Sequence, residues 1–380
     1  MIRMLIAGDF CPQDRVATLI EQDDYASVFG DISEYTKQAD YSIVNLEAPV
    51  VETKVKPVEK CGPNLKCSAK AVEALKYAGF DMVTLANNHF YDYGDEGVKQ
   101  TLDACEGEGI AVVGGGMNII EASRIVYKEI KGVKIAFINC CEHEFSIATE
   151  TSAGSNPLNP IQQYYAIQEA KQNADKILVI VHGGHEMYQL PSPRMKELYR
   201  FFIDAGADAV VNHHQHCFSG YEIYDYKPII YGLGNFSFDR IQFRDNIWND
   251  GYMVMLNIDK ENIWIESIPY IQGNEQAGIK VLDERTEFDS KIEALNAIIE
   301  DDIKLKKEHE KWMKKTSSGY RLALEPYQGK FLSILYHRNL LPSFLTKRKS
   351  LRIFGYIGCE SHLDRLRFCV KDSLRGNDKN

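Results

Sequence analysis

The sequence lacks an apolar run long enough to cross a membrane, which takes about 18 consecutive apolar residues. The apolar stretch at its start, MIRMLIAGDF, is too short for a signal peptide, and no cleavage pattern follows it. The nine cysteines are an odd number without regular spacing, so they form no disulfide framework. These absences predict a soluble, cytoplasmic protein that keeps its thiols reduced.

The chain as a whole also lacks an excess of positive charge. Its 380 residues have a net charge of −10, which gives the molecule no electrostatic reason to bind nucleic acid. The charge is unevenly distributed, because residues 301–380 hold 18 Lys and Arg against 9 Asp and Glu. Helical spacing of apolar residues begins near Phe288. We therefore expect a domain at 1–285 and a basic helical extension at 286–380.

Short apolar and β-branched runs alternate with helical patterns along the first 240 residues. Such runs are typical of strands covered on both faces. They are Arg3–Ala7, Tyr41–Val44, Met82–Leu85, Val133–Asn139, Ile177–Val181, Ala209–Val211 and Pro228–Tyr231. This alternation indicates an α/β domain with a largely parallel core. Further along, Tyr252–Ile258 and Ile263–Ile271 alternate like two paired strands.

Ionisable and amide side chains follow five of these runs at the point where each predicted strand ends. They are Asp9, Asn45 with Glu47, Asn88 with His89, His182 with Glu186, and His213 with His214 and His216. Ligands of open α/β sheets bind beyond the carboxyl ends of the strands, so these residues are predicted to converge. Carboxylates, amide oxygens and neutral imidazoles bind Zn, Mn, Fe or Ni. Two such ions could clamp an ester and activate water, with Glu47 as the bridge.

Each of these residues also has an ordinary structural interpretation. Asp9 could cap a turn, Glu47 could be a solvated loop acid, and Asn87-Asn88 could form a turn. His182 alone could be a core histidine whose ring nitrogens are satisfied. The segment His213–His216 argues against chance, because three of the ten histidines fall within four residues after a strand. A metal site is therefore the favoured hypothesis.

The same residues carry a resemblance to a known family. Five segments follow one another as in the CapA family of bacterial capsule and poly-γ-glutamate synthesis proteins, which is related to calcineurin-like metallophosphoesterases. They are Gly8-Asp9, Asn45–Pro49, Leu85–Gly94, the His182 to His216 region and Lys227–Phe236. The resemblance implies a four-layer α/β/β/α sandwich with two sheets packed face to face. The alternation of strands and helices alone does not distinguish this fold from a doubly wound sheet.

The resemblance also implies roles for individual residues. Six of them match the metal positions of metallophosphoesterases, namely Asp9, Glu47, Asn88, His182, His214 and His216. They imply one or two divalent ions. His89 matches the residue that protonates the leaving group, a usual task of histidine. We expect His213, Glu186 and Asn235 to contact the substrate or to support the ligands.

The main departure from the metallophosphoesterase pattern lies at position 11. The pattern Asp-x-His would place a histidine there, whereas this chain has Cys11, so one ion would lose a nitrogen ligand. In addition, Glu47 replaces the bridging Asp of the wider superfamily.

Two functions are compatible with these observations. The first is a metal-dependent, phosphoesterase-like hydrolase that acts on a phosphorylated or polyanionic substrate in capsular polysaccharide or poly-γ-glutamate biosynthesis. The second is a non-catalytic capsule-assembly protein with a structural or vestigial metal site, whose basic extension docks a synthase. The extension could also lie on an anionic membrane surface, or pack on the main domain with a solvated basic face.

Overall fold

The computed structural model describes residues 1–327 and 329–376, and the chain folds as two compact units. The first unit comprises Met1–Lys306 and the second begins at Lys307. None of the helices in the described residues is both long enough and apolar enough to span a membrane. The cytoplasmic location stays a prediction. Residues 328 and 377–380 of the expected extension lie outside the described residues.

Sixteen strands are present in the described residues, all of them in the first unit. The first eight are β1 (Ile2–Phe10), β2 (Tyr41–Leu46), β3 (Met82–Thr84), β4 (Ala111–Val113), β5 (Gly115–Gly116), β6 (Val126–Ile130), β7 (Val133–Cys141) and β8 (Gly154–Ser155). The others are β9 (Lys176–His182), β10 (Ala209–His213), β11 (Tyr221–Tyr224), β12 (Lys227–Ile230), β13 (Asn235–Ser237), β14 (Asp250–Ile258), β15 (Ile263–Gln272) and β16 (Ile279–Val281).

The strands form two large sheets and one small one. The first large sheet has the order β16-β15-β14-β1-β2-β3-β4, with β13 beside the end of β1, and its strands β1 to β4 are parallel. The second has the order β11-β12-β10-β9-β7-β6, with β7, β9, β10 and β12 parallel. The predicted pair of strands after Asp239 is confirmed, since β14 and β15 pair antiparallel from Ile258 opposite Ile263. Strands β5 and β8 form the small sheet.

Apolar side chains fill the space between the two large sheets. Ile6 and Ile43 of the first sheet and Phe137 and Ile180 of the second belong to one buried cluster. The rings of Phe137 and Tyr41 stack with their centroids 5.9 Å apart. Each of these side chains gains the transfer free energy of an apolar group removed from water, so the facing surfaces hold the sheets together.

Helices cover the outer faces of both sheets. The first unit contains, in chain order, α1 (Asp14–Glu21), α2 (Tyr25–Phe29), α3 (Ile32–Gln38), α4 (Lys70–Tyr77), α5 (Gly94–Gly107), α6 (Ile119–Ala122), α7 (Pro160–Asn173), α8 (Pro193–Ala205) and α9 (Thr286–Glu300), of which α1 to α5, α7 and α8 lie on the outer faces. Residues of α1 to α5 share a buried cluster with the first sheet, whereas α7 and α8 pack on the second. The four-layer α/β/β/α sandwich that the family resemblance implied is therefore confirmed.

Helix α8 connects the two strands that carry the predicted histidines, β9 and β10. Its N-cap residue Ser192 accepts a hydrogen bond from the backbone N–H of Met195 at 3.2 Å, and Pro193 occupies the first turn. Gly206 ends the helix with a φ of 125°, which a residue without Cβ adopts without strain. These signals bring β10 back parallel to β9, so His213 lies beside His182.

The division between the units falls at Lys306, beyond the boundary expected at 285. Helix α9 belongs to the first unit because its apolar face completes the core between the sheets. The ring of Phe288 lies 5.3 Å from that of Phe218 and 5.5 Å from that of Tyr252, measured between centroids. Ile292 is buried in the same cluster.

The predicted helical character of the extension is confirmed. Four helices follow α9, namely α10 (Asp302–Ala323), α11 (Lys330–His337), α12 (Lys347–Gly358) and α13 (Glu360–Gly376). A buried carboxylate, that of Glu325, organises the segment between α10 and α12. It accepts hydrogen bonds from the backbone N–H groups of Phe344 at 2.8 Å and Leu345 at 3.2 Å, and from the hydroxyl of Ser343.

Replacing Phe137 by alanine is expected to lower the free energy of unfolding by about 3–5 kcal/mol, because it leaves a cavity between the sheets. Urea denaturation followed by circular dichroism measures the change. Ile120→Ala is the control, since Ile120 is 80% exposed and its loss should matter by less than about 0.5 kcal/mol. Equal losses for the two variants would contradict a close-packed core between the sheets.

Candidate metal centre

Side chains from both large sheets meet beyond the carboxyl ends of parallel strands. The six residues predicted as ligands are Asp9 in β1, Glu47 after β2, Asn88 after β3, His182 at the end of β9, and His214 and His216 after β10. None of the six is more than 7% exposed. The structure thus brings all six together, while their binding of metal stays a prediction.

Glu47, His182 and His214 form the first group of donors, and their ligand atoms lie within 4.8 Å of one another. His182 Nε2 lies 3.1 Å from His214 Nδ1, 3.0 Å from Asn88 Oδ1 and 3.6 Å from Glu47 Oε1. Two donors bound at right angles, each about 2.1 Å from one ion, stand about 3 Å apart. The spacing of this group therefore fits a single divalent ion.

A second group of three donors consists of Asp9, Glu47 and His216, whose ligand atoms also lie within 4.8 Å of one another. His216 Nε2 lies 3.7 Å from Glu47 Oε1, and His216 Nδ1 lies 3.8 Å from Asp9 Oδ2. Glu47 is the member that both groups share. The carboxylate thus occupies the position expected of a bridging ligand between two ions.

The Glu47 carboxylate is fully buried, and neither of its oxygens has a hydrogen-bond partner among the described residues. Burial raises the pKa of this carboxyl well above its usual value, and the neighbouring charge of Asp9 raises it further. A buried carboxylate without partners is costly, whereas a divalent cation would compensate its charge and occupy both oxygens. This orphaned acid shows that the residues present fit a metal ion.

The two carboxylates of the site differ in their surroundings. Asp9 accepts a hydrogen bond from Asn45 Nδ2 at 2.8 Å and another from the backbone N–H of His214 at 3.1 Å. Burial opposes the ionisation of Asp9, but the hydrogen bond and charge of His213, together with the charges of His182 and His216, outweigh it and the pKa of Asp9 falls well below its usual range. Asp9 is therefore ionised in the metal-free protein, whereas Glu47 favours its protonated form.

Two of the buried histidines, His182 and His216, are in the protonation state that binds a cation. Burial lowers the pKa of His182 well below its usual value and that of His216 to about 4. Both rings are therefore neutral at neutral pH, which is the form in which imidazole binds metal.

Asn235 on β13 orients the ring of His216. Its amide nitrogen donates hydrogen bonds to the carbonyl oxygens of His216 at 3.1 Å and Trp248 at 3.2 Å. The amide oxygen consequently accepts from His216 Nδ1 at 2.9 Å, so the proton of the neutral ring lies on Nδ1. His216 Nε2, the nitrogen nearest to Glu47, keeps its lone pair for an ion.

Two of the histidines have backbone conformations that side chains rarely adopt. His214 has a φ of 91° and His216 a φ of 55°. Between them, Gln215 holds the turn by donating to the carbonyl oxygens of Tyr188 at 2.7 Å and Leu190 at 3.3 Å. Strained backbone of this kind concentrates at functional sites, where surrounding contacts maintain it.

His89, the predicted proton donor, belongs to a buried polar cluster next to Asn88. Its Nδ1 lies 2.8 Å from Asp92 Oδ2, and Asp92 also accepts from the backbone N–H of Leu65 at 2.6 Å. The ammonium group of Lys60 lies 3.2 Å from His89 Nδ1 and forms an ion pair with Asp92. The carboxylate therefore fixes the orientation of the His89 ring.

The other predicted site residues lie at different depths. His213 is buried, with its Nδ1 3.3 Å from Asp9 Oδ1. Glu186 is exposed, and its charge adds to the rise in the pKa of Glu47. Cys11 is fully buried, and burial followed by the charge of Glu47 raises the pKa of its thiol well above the usual value. Cys11 belongs to neither group of donors found among the described residues, so the structure does not place it as a substitute for the missing histidine.

No role was assigned from the sequence to two positioning residues, Asn45 and Lys60. Asn45 donates to Asp9, while its amide oxygen accepts from Thr84 Oγ1 at 3.2 Å and Asn87 Nδ2 at 3.3 Å. Its position two residues before Glu47 was the available signal, since residues two apart on a strand share a face. Lys60 gave no such signal, because nothing in its polar loop distinguishes it from the neighbouring lysines.

Two sheets packed face to face between helices, with carboxylate, amide and imidazole donors at their strand ends, form the architecture and the candidate site that the family resemblance implied. A model of the bacterial capsule synthesis protein family PGA_cap matches residues 3–240. The chain belongs to this family, and the predicted resemblance to CapA proteins is confirmed.

Two curated relatives carry the name CapA. Capsule biosynthesis protein CapA of Bacillus anthracis is 36% identical over 247 residues, which cover 63% of this chain and 60% of that protein. PGA biosynthesis protein CapA of Bacillus subtilis is 33% identical over 237 residues, covering 61% and 62%. The match spans less than two thirds of either relative. A solved 5'-nucleotidase precursor from Thermus thermophilus is 11% identical with a TM-score of 0.45, over 71% of this chain and 54% of that one.

Metal binding near neutral pH is expected to release a proton, because the raised pKa of Glu47 makes the proton a competitor of the ion. The affinity for metal should therefore rise with pH until the metal-free Glu47 is fully ionised. Isothermal titration with Mn²⁺ or Zn²⁺ in two buffers of different ionisation enthalpy measures the number of protons released.

Glu47→Gln should bind metal more weakly and without this proton release. The matched control is Glu59→Gln, which changes an exposed glutamate and should behave as the unaltered protein does. An unchanged proton release in Glu47→Gln would contradict the role given to this carboxyl.

Proposed function

We propose that this protein is a metal-dependent hydrolase of phosphoester bonds that acts in capsular polysaccharide or poly-γ-glutamate biosynthesis. Membership of a capsule synthesis family, and relatives named for capsule and PGA biosynthesis, support the process. The observation that carries the chemistry is Glu47, which is buried, has no hydrogen-bond partner in the residues that the structure describes, and is shared by two groups of metal donors.

Two sets of residues would hold the ions. Asn88, His182 and His214 would bind one ion and Asp9 and His216 the other, with Glu47 between them. The mixed nitrogen and oxygen donors suit Mn, Zn, Fe or Ni. Ions bound there would supply the positive charge that polarises a phosphoryl group and makes water more acidic.

His89 supplies the proton that the leaving group needs. Asp92 Oδ2 accepts the Nδ1 hydrogen of the ring, which leaves Nε2 as the nitrogen that serves the leaving oxygen. The contact with Asp92 also prevents the ring from rotating, so the donor stays aimed at one place.

The acidic residues around the site make substrate binding depend on metal. The charges of Asp9, Glu186 and Glu144 all act on Glu47, so the metal-free site repels anions. A phosphorylated or polyanionic substrate would bind only once divalent ions offset this negative potential.

A second candidate is a non-catalytic assembly protein with a structural or vestigial metal site. Cys11 favours this function, because a buried cysteine lies where the metallophosphoesterase pattern has a nitrogen ligand. The group formed by Asp9, Glu47 and His216 then lacks one donor. A protein that binds metal and hydrolyses nothing would agree with this second candidate.

Two histidine variants separate metal binding from catalysis. In a screen of phosphomonoesters and phosphodiesters, His214→Ala is expected to lose both bound metal and hydrolysis, because it removes a ligand. His89→Ala should keep its metal and lose hydrolysis by about 10²–10⁴-fold, because only the proton donor is removed. Elemental analysis of the same samples measures the metal.

His337→Ala, which changes an exposed histidine, is the control and should match the unaltered protein. Purified protein without metal, or metal-loaded protein inactive on every ester in the screen, would count against the hydrolase. Full activity of metal-loaded His89→Ala would contradict the role of His89 alone.

A further inference from the structure

The helices of the C-terminal unit leave large apolar side chains uncovered. Neither α11 nor α12 has a buried residue. The exposed fractions are 72% for Phe331, 65% for Leu340, 63% for Leu351, 71% for Phe354 and 69% for Phe368. A cluster of exposed apolar groups in one part of a chain marks a surface that binds something.

The C-terminal segment that exposes these apolar side chains also has well-defined contacts within itself. The Glu325 carboxylate holds the backbone of Phe344 and Leu345, and the rings of Tyr327 and Phe344 lie 6.0 Å apart. Helix α12 also packs along α13. The exposed apolar side chains are therefore those that take no part in the packing contacts within the C-terminal helices.

Helix α12 places apolar and basic side chains next to each other. Leu351, Phe354 and Ile357 recur every third residue, so they lie along one side of the helix, and each is more than half exposed. Lys347–Lys349 form the first turn, and Arg352 follows four residues after Arg348. An apolar strip flanked by cations is the pattern of a helix that lies in a membrane interface.

The charge distribution along the chain indicates which kind of surface the C-terminal helices bind. Residues 330–376 hold ten Lys and Arg against three Asp and Glu, whereas residues 1–300 carry 26 against 45. An anionic surface therefore attracts residues 330–376 and repels residues 1–300. The cations would contact lipid phosphates while the apolar strip enters the layer below them.

We propose that helices α11 to α13 bind an anionic phospholipid surface, with Leu351, Phe354 and Ile357 inserted between the headgroups. A soluble polyanion would satisfy the cations but leave the apolar strip in water, whereas a bilayer surface covers both. The proposal does not depend on hydrolysis at the candidate metal centre.

Sedimentation of the full chain with lipid vesicles tests the proposal. Vesicles of phosphatidylglycerol mixed with phosphatidylcholine should bind the protein at low salt at least about tenfold more tightly than vesicles of phosphatidylcholine alone. The binding should weaken as salt is added, because salt screens the attraction.

Two sets of variants separate the contributions of charge and apolar contact. The triple variant K347Q/R348Q/K349Q should lose about 100-fold in affinity, since each cation near an anionic surface contributes about fivefold. The matched control K311Q/K314Q/K315Q removes the same charge from exposed lysines of α10 and should lose much less.

L351S/F354S should also weaken binding but keep its dependence on salt. I120S/I241S is its control, because it removes two exposed apolar residues of the first unit and should leave binding unchanged. Circular dichroism of every variant verifies that the helices are retained.

Three results would overturn the proposal. If the protein does not bind phosphatidylglycerol vesicles at low salt, the lipid proposal is wrong and the exposed apolar surface would instead bind a protein partner, such as a synthase. Equal losses in the two lysine variants would show that only total charge matters. Binding that survives L351S/F354S, and that soluble polyglutamate abolishes, would identify a site for polyanions instead.

Discussion

The buried Glu47 carboxylate is the constraint on which the site depends. Within the part of the chain that the structure describes, neither oxygen of this fully buried glutamate has a donor, so the carboxyl must bind a proton or a cation. The neighbouring groups favour the cation, because the neutral rings of His182 and His216 place their Nε2 atoms 3.6 Å and 3.7 Å from Glu47 Oε1. The remaining polar contacts serve this arrangement: Asn45 holds Asp9, and Asn235 turns His216 towards the shared carboxylate.

Much of the site could be predicted because strand ends leave a clear pattern in the sequence. A parallel strand buried on both faces is a continuous apolar run, so the first ionisable residue after it stands out. Asp9, Glu47 and His182 were found in this way, and all three meet in the structure. Asn45 was harder to assign, because an amide on a strand serves equally well as a structural hydrogen-bond partner.

The layers of the fold could not be predicted from periodicity alone. Apolar runs show that both faces of a strand are covered, but not whether a helix or a second sheet covers them. Family resemblance supplied that information. The boundary near residue 285 was placed before α9 for a related reason, because Phe288 and Ile292 show the spacing of any amphipathic helix. Lys60 lay beyond prediction, since its partners Asp92 and His89 are distant in sequence and its loop has no repeating pattern.

The hydrogen bond from the His214 backbone to Asp9 joins residues 205 positions apart. Synthesis proceeds from the N-terminus, so Asp9 and Glu47 leave the ribosome long before the histidines exist. Until β9 and β10 join the second sheet, the side chains of Asp9 and Glu47 remain hydrated and behave as solvent-exposed acids. A chain that stops before His214 would contain both carboxylates of the site but would lack His214 and His216, so the metal site could not form. Bound metal would therefore report that translation has passed β10 and that both sheets have docked.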